Sequence, residues 1–271
     1  MNVPRKEVIG LMLLSVVVFF SNIGGYSIYI LDEAKNAMCA FEMKETGRFF
    51  YPTFNGEIRT DKPPLHYYFM QVGYFLFGKT AFAARFFSAL MGVATVMLTF
   101  FAVDFLSSNR KMAWYASLIL LSSLQIMVQF HLAVPDPYLI FFTNLGIFSF
   151  LIFWEKRQKT WILLTYVSLA FAALAKGPVA IVLPSIIFLG FVLVKKSLNW
   201  QTIRDLQLLW GIFIFLLITF PVYYQLHVQT EGTWTEGFFF KHNLERFTSV
   251  MEGHSGNIYF VPLVILGGLL P

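Results

Sequence analysis

What most limits the folding of this chain is a succession of apolar runs, each near the length of a bilayer crossing and parted by short polar breaks. A helix needs about 20 apolar residues to cross roughly 30 Å of hydrocarbon. Eight runs approach that length: 8–31, 82–106, 112–130, 137–154, 160–175, 178–194, 208–227 and 257 to the end. Of the 271 residues only 13% are charged, and 57% are hydrophobic. Soluble domains carry about 25% charged residues. The expected fold is all-α, a polytopic membrane helix bundle of about eight spans forming a single domain over 1–271. The first run exceeds a signal-peptide core and lacks a small-residue cleavage pattern, so it reads as an uncleaved span. The final run stops at Pro271, and the chain reads as part of a longer protein.

Charge sets the expected sidedness. A net charge of +5 would hint at nucleic acid in a soluble protein, but here the positive-inside bias of membrane proteins accounts for it. Cys39 is the single cysteine, so no internal disulfide forms. Segment 65–78 is short and crowded with aromatics, as interfacial segments are. If it lies flat, the breaks 107–111, 155–159 and 195–207 share the N-terminal side and hold, with Arg5 and Lys6, ten of the twenty basic residues. Eleven of the fifteen acids then fall on the opposite, outer face, together with Lys176, His131, His242 and His254. Two long outer loops result, 32–81 and 228–256. In the first, Ala34, Ala37, Met38 and Phe41 share one stripe of an amphipathic helix over 33–46. Asp32 is placed to cap it, Gly47 to stop it, and Pro63-Pro64 to start a second surface helix.

A series of polar positions runs through this outer face: Asp32-Glu33-Ala34 after the first span, Asp61-Lys62-Pro63-Pro64, Arg85, Asp136, Lys176-Gly177-Pro178, and His242-Asn243-Leu244-Glu245-Arg246-Phe247. In order and topology it resembles the membrane glycosyltransferases of the GT-C fold, particularly the bacterial aminoarabinose (lipid A) transferase and its protein-mannosyltransferase-like relatives. The resemblance implies a polyprenyl-phosphate sugar donor, a lipid or other envelope glycoconjugate as acceptor, and a site on the periplasmic face of a bacterial inner membrane with the N-terminus cytoplasmic. It implies Asp32 and Asp136 as catalytic acids. Lys35, Asp61, Lys62, Arg85, Lys176, His242 and Arg246 would bind substrate. Lys35 stands where the family has arginine, and a point-like ammonium lacks the two-pronged grip of a guanidinium.

Such a transfer needs a leaving phosphate stabilised by Lys or Arg and an acceptor hydroxyl relieved of its proton by a carboxylate. Plainer readings stand beside each assignment. Asp32 can be a helix cap, Glu33 a first-turn acid favoured by the helix dipole, and Asp61-Lys62 a solvated turn. Arg85 and Lys176 can snorkel. Asp136 must surface or find a partner, because burial in a span costs about 2.5–3.5 kcal/mol. No cofactor is firmly implied; a divalent ion held by Asp32, Asp61 and His66 is one option, though no His-x-x-His pair exists. A transporter or lipid flippase is the alternative class, disfavoured because Asp104 alone among the acids falls inside a run. A non-catalytic binding subunit is the third.

Overall fold

The computed structural model describes residues 5–29, 31–244 and 259–269. The chain is an integral membrane protein, mostly helical. Its elements are α1 (Arg5–Phe20), α2 (Asp32–Thr46), β1 (Thr53–Phe54), β2 (Glu57–Ile58), α3 (Leu65–Phe77), α4 (Ala81–Ser107), α5 (Arg110–Ser122), α6 (Leu124–Phe130), α7 (Asp136–Lys156), α8 (Lys159–Lys176), α9 (Val179–Val194), α10 (Trp200–Asp205), α11 (Leu208–Gln229), α12 (Thr233–Thr235), a π-helix (Glu236–Leu244) and α13 (Phe260–Leu269).

Four stretches among the described residues are long and apolar enough to cross a membrane: α4, α7, α8 and the run from Trp200 to Gln229. A fifth arises if α5 and α6, bent by 66°, count as one span. The eight spans expected from composition are thus not reproduced, for identifiable reasons. The run 8–31 is helical only to Phe20, because Ser21, Asn22 and Gly24-Gly25 turn the chain, with Asn22 at a left-handed φ of 57°. The run 112–130 breaks at Ser123, whose hydroxyl donates to the Gly268 carbonyl (2.9 Å). Helix α9 has 16 residues, about 24 Å at 1.5 Å per residue, and α13 only 10.

Helix α3 has 13 residues, about 20 Å, and falls short of a crossing. It packs on α2 and on the start of α4. The two helices approach so closely that a Cβ on Gly73 would lie 2.3 Å from the Ala83 carbonyl oxygen. Helix α2 buries Glu33, Asn36, Ala37, Ala40 and Met43, while Met38 is exposed. The inward stripe is therefore rotated from the apolar one expected at 34, 37, 38 and 41, because two polar residues have buried partners to reach. Gly47 ends α2 in the left-handed conformation, as expected. Next comes a hairpin whose turn residues Asn55 and Gly56 both have positive φ (53° and 82°), the geometry that matches strand twist. The Glu42 carboxylate fastens it to α2, accepting from the Thr53 hydroxyl (2.6 Å) and the Asn55 amide (2.8 Å).

Candidate active site

Among the described residues, Asp32, Glu33, Asp61, Lys62 and Arg85 of the polar series gather around a fully buried ion pair. Arg85, in the second turn of α4, and Glu33, in the first turn of α2, are 0% and 1% exposed. Every guanidinium donor is used: Nε and Nη2 bond the Glu33 carboxylate (2.7 and 2.9 Å), and Nη1 and Nη2 bond the carbonyls of Ile23, Tyr26 and Ser27. The Glu33 oxygens also accept from the amides of Tyr29 (2.6 Å) and Ala133 (2.9 Å). One charge pair thereby joins α4, α2, the chain after α1 and the turn before α7. Arg85 has no donor left for a substrate. Its expected binding role is corrected to a positioning one, and Glu33 is more than a dipole-stabilised acid.

Beside it lies a second cluster, half open to solvent. Leu31, not Asp32, occupies the cap position of α2, and no side chain caps the helix. The Asp32 carboxylate, 62% exposed, pairs instead with the Lys62 ammonium. Arg59, only 9% exposed, grips Asp61 with Nε and Nη2 (2.5 and 2.8 Å) and reaches Asp32 with Nη2 (3.4 Å). Its Nη1 donates to the Asn36 Oδ1 (3.0 Å), and the Asn36 amide donates to the Ala133 carbonyl (3.3 Å). Partial burial works against the charge on Asp32, but the Lys62 hydrogen bond and the charges of Lys62, Arg59 and Lys35 outweigh it, so its pKa is lowered. Asp32 is ionised at neutral pH. Lys35 is exposed on α2 and acts on Asp32 through charge.

A third element is the pair of Asp136, at the start of α7, with Lys176, at the end of α8. It answers the expectation that Asp136 must find a partner. The π-helix ties this pair to the Lys62 loop. The ring of Phe238 lies against Gly177, where a Cβ would be 2.5 Å from it, and Thr60 fills the space beside Gly237. Adjacent residues of one helix thus touch the Asp61-Lys62 loop and the Lys176 turn. Phe238 stacks on the buried Trp234 (centroids 4.6 Å apart). Glu236–Leu244 winds with an i→i+5 pattern, and such π segments recur at functional sites. His242 is half-buried on this element. Glu245, Arg246 and His254 lie outside the described residues.

The metal option is not supported. Among the described residues no three His, Cys, Asp or Glu side chains stand where they could share a cation. Asp32 and Asp61 are each paired to a base. His66 is fully buried, and burial, then the charges of Lys62 and Arg59, hold it well below its ordinary pKa. A neutral ring facing two cations is a poor start for a third. Sequence reasoning missed Arg59 and Asn36. For Arg59 the one available signal was its closeness in the chain to Asp61, two residues on.

These features define a membrane helix bundle of the GT-C class with a charge-paired polar end. Residues 9–235 match the dolichyl-phosphate-mannose-protein mannosyltransferase (PMT) family, and the chain belongs to it. A protein of Aquifex aeolicus with no assigned activity is 30% identical over 97% of this chain and 59% of its own length. The undecaprenyl phosphate-alpha-4-amino-4-deoxy-L-arabinose arabinosyl transferase of Yersinia pestis is 26% identical over 96% of this chain and 48% of its own. The crystal structure of ArnT from Cupriavidus metallidurans bound to undecaprenyl phosphate matches with a TM-score of 0.88 at 25% identity, covering 99% of this chain and 49% of that one. The S. cerevisiae protein O-mannosyltransferase Pmt1-Pmt2 complex shares the fold at a TM-score of 0.68 and 17% identity, covering 84% of this chain and 34% of that one. This chain therefore spans about half the length of the relatives it matches.

Proposed function

We propose that this chain carries the donor-side reaction centre of a membrane glycosyltransferase, which moves a sugar from a polyprenyl-phosphate donor to a lipid or other envelope acceptor at the outer face of a bacterial inner membrane. The observation that carries this reading is the pair of half-open lysine–carboxylate contacts, Asp32 with Lys62 and Asp136 with Lys176, brought to one end of an apolar bundle and bridged by the π-helix. The undecaprenyl phosphate bound by the ArnT relative supports the donor class.

Asp32 serves as base and Asp136 as the second acid. Lys62 and Lys176 meet the donor phosphate, with Lys35 and His242 around them. Asp61 acts by fixing the loop through Arg59. The acceptor hydroxyl attacks the anomeric carbon, the bond from that carbon to the phosphate oxygen breaks, and the hydroxyl proton passes to Asp32. Polyprenyl phosphate leaves against the lysines. A lowered pKa makes a carboxylate a weaker base, and Lys62 resolves that tension. Turning Lys62 from Asp32 to the arriving phosphate removes the interaction that most strongly depresses Asp32. Donor binding then makes Asp32 more basic at the moment a base is needed.

The test is transfer from a defined undecaprenyl-phosphate sugar by the full natural protein in proteoliposomes. Asp32→Asn is expected to lower turnover about 10²–10⁴-fold with unchanged membrane insertion and melting. Wild-type turnover by that variant would remove the base assignment.

A further inference from the structure

Far from the polar end, α9 and α11 each pack on α8 but scarcely on one another, and the cleft between them holds a cavity of about 500 Å³. Its floor is the buried face of α8, from Ile162 to Leu169, and its far wall is Phe150 of α7. Leu189 of α9 and Ile212 and Leu216 of α11 line it yet are more than half exposed or close to it (54%, 57% and 50%), so it opens sideways between these two helices. Along α8, Leu169 lies about 10 Å short of Lys176 at the ordinary helical rise. The cavity therefore runs toward the end of the bundle opposite the polar site, with Ile181 of α9 as the lining residue nearest that site in the chain.

Two facts fix what such a space takes. Its lining is apolar apart from Thr165, Tyr166 and Ser185, and the Tyr166 hydroxyl is already bonded to the Leu206 carbonyl (2.7 Å). Water finds too few partners in a cavity of this kind, whereas a bilayer supplies acyl chains at its open side. The mouth is basic. Leu198 and Leu206 of the rim are interleaved in the chain with Lys195, Lys196 and Arg204, all three exposed and in no ion pair among the described residues. Asp205, partly buried, is the one acid in that loop. Basic residues beside an apolar slot attract anionic headgroups.

We propose that this cleft is a binding site for an anionic glycerophospholipid of the leaflet opposite the polar site, with one acyl chain between α9 and α11 and the phosphate at Lys195, Lys196 and Arg204. It is independent of the catalytic reading, since it shares no residue with that site. A filled cleft holds α9 and α11 apart at a fixed distance without a protein–protein contact.

The experiment is photocrosslinking of the full natural protein in nanodiscs with phosphatidylglycerol carrying a diazirine on one acyl chain, mapped by peptide mass spectrometry. Crosslinks are expected in 181–192 and 206–216, at least 5-fold above those made by the matching phosphatidylcholine. Leu189→Trp, which fills the cleft, should remove them. Lys195→Gln/Lys196→Gln/Arg204→Gln should abolish the headgroup preference and leave the crosslink positions unchanged. The proposal is overturned by crosslinks spread evenly over lipid-facing helices or insensitive to Leu189→Trp, and by equal labelling from both lipids. Displacement by undecaprenyl phosphate would overturn it in favour of the donor's tail. Absence of labelling from the cleft would overturn it in favour of another protein segment as the filler.

Discussion

Glu33 and Asp32 are neighbours in sequence and opposites in circumstance. Glu33 faces inward, excluded from water, and meets a guanidinium whose donors are all used within the protein. Asp32 faces outward, mostly exposed, and meets the ammonium of a largely buried lysine whose hydrogen bond to it is the side-chain contact that opens to solvent. A single step along the first turn of α2 separates them, because successive helical residues point about 100° apart. The comparison teaches how to divide a cluster of charges into frame and machinery. A pair with no spare donors and no access is frame, however acidic or basic its members. A pair with open access, capable of exchanging partners, is where a phosphate and a hydroxyl can be handled.

The sharpest way to break this division is to remove the frame. Loss of one partner from a buried ion pair costs about 3–5 kcal/mol, and Arg85→Leu also strands three carbonyls. That variant is expected to melt far below wild type in detergent or not to accumulate at all, with Glu33→Gln somewhat milder. If Arg85→Leu melted like wild type but failed to bind donor, Arg85 would belong to the machinery and the division would fail. On the other side, Lys176→Met should keep the wild-type melting point. A charge-assisted hydrogen bond to phosphate is worth about 1.5–3 kcal/mol, so its retention of undecaprenyl phosphate should weaken about 10- to 100-fold. Equal retention of that lipid would place the phosphate elsewhere.

Between these limits lies the Glu42 clamp, which belongs to the frame although it is only partly buried. Desolvation is the largest single influence and opposes its charge, but the Thr53 hydroxyl and the Gly56 and Asn55 amides together prevail and lower its pKa. Glu42→Ala is expected to loosen the hairpin, and with it the Arg59–Asp61 loop, at about 1–2 kcal/mol for the hydrogen bonds lost. Faster amide exchange at Asn55 and Gly56, with donor binding only mildly weakened, would place it correctly. Unchanged exchange would show that the hairpin is held by other contacts.

How far the molecule could be read from its sequence follows the same division. The apolar runs gave helices at nearly every expected position, because hydropathy and composition act locally. What they could not give was where helices stop within a run. Residues 21–29 belong to the first apolar run despite Ser21, Asn22 and Gly24-Gly25, yet the carbonyls of Ile23, Tyr26 and Ser27 surround Arg85, a partner some sixty positions away. Likewise the inward face of α2 is set by Arg85 and Arg59 rather than by its own apolar stripe, which is why Met38 turned out to be exposed. The candidate residues were legible as a series because acids and bases are rare in this chain. Their pairing was not, since spacing says nothing about which lysine faces which carboxylate.

The smallest effect tests the finest feature of the comparison, the contact from Arg59 to Asp32. Desolvation pushes the Asp32 pKa up, Lys62 provides the larger share of the opposing pull, and Arg59 adds to it. A carboxylate with a depressed pKa keeps its charge, and any stability that charge brings, above the unfolded value of about 3.9. Both are lost only as pH falls through the lower folded value. The acid limb of kcat/KM, which reports the donor-free enzyme, is therefore expected below pH ~4. Arg59→Gln should move that limb upward by a fraction of a pH unit. Arg59→Lys should leave it nearly in place, because the positive charge remains, while the two-pronged hold on Asp61 is lost. If both variants moved the limb equally, Arg59 would act on Asp32 by holding the loop in position and not by its field, and this one contact would pass from machinery to frame.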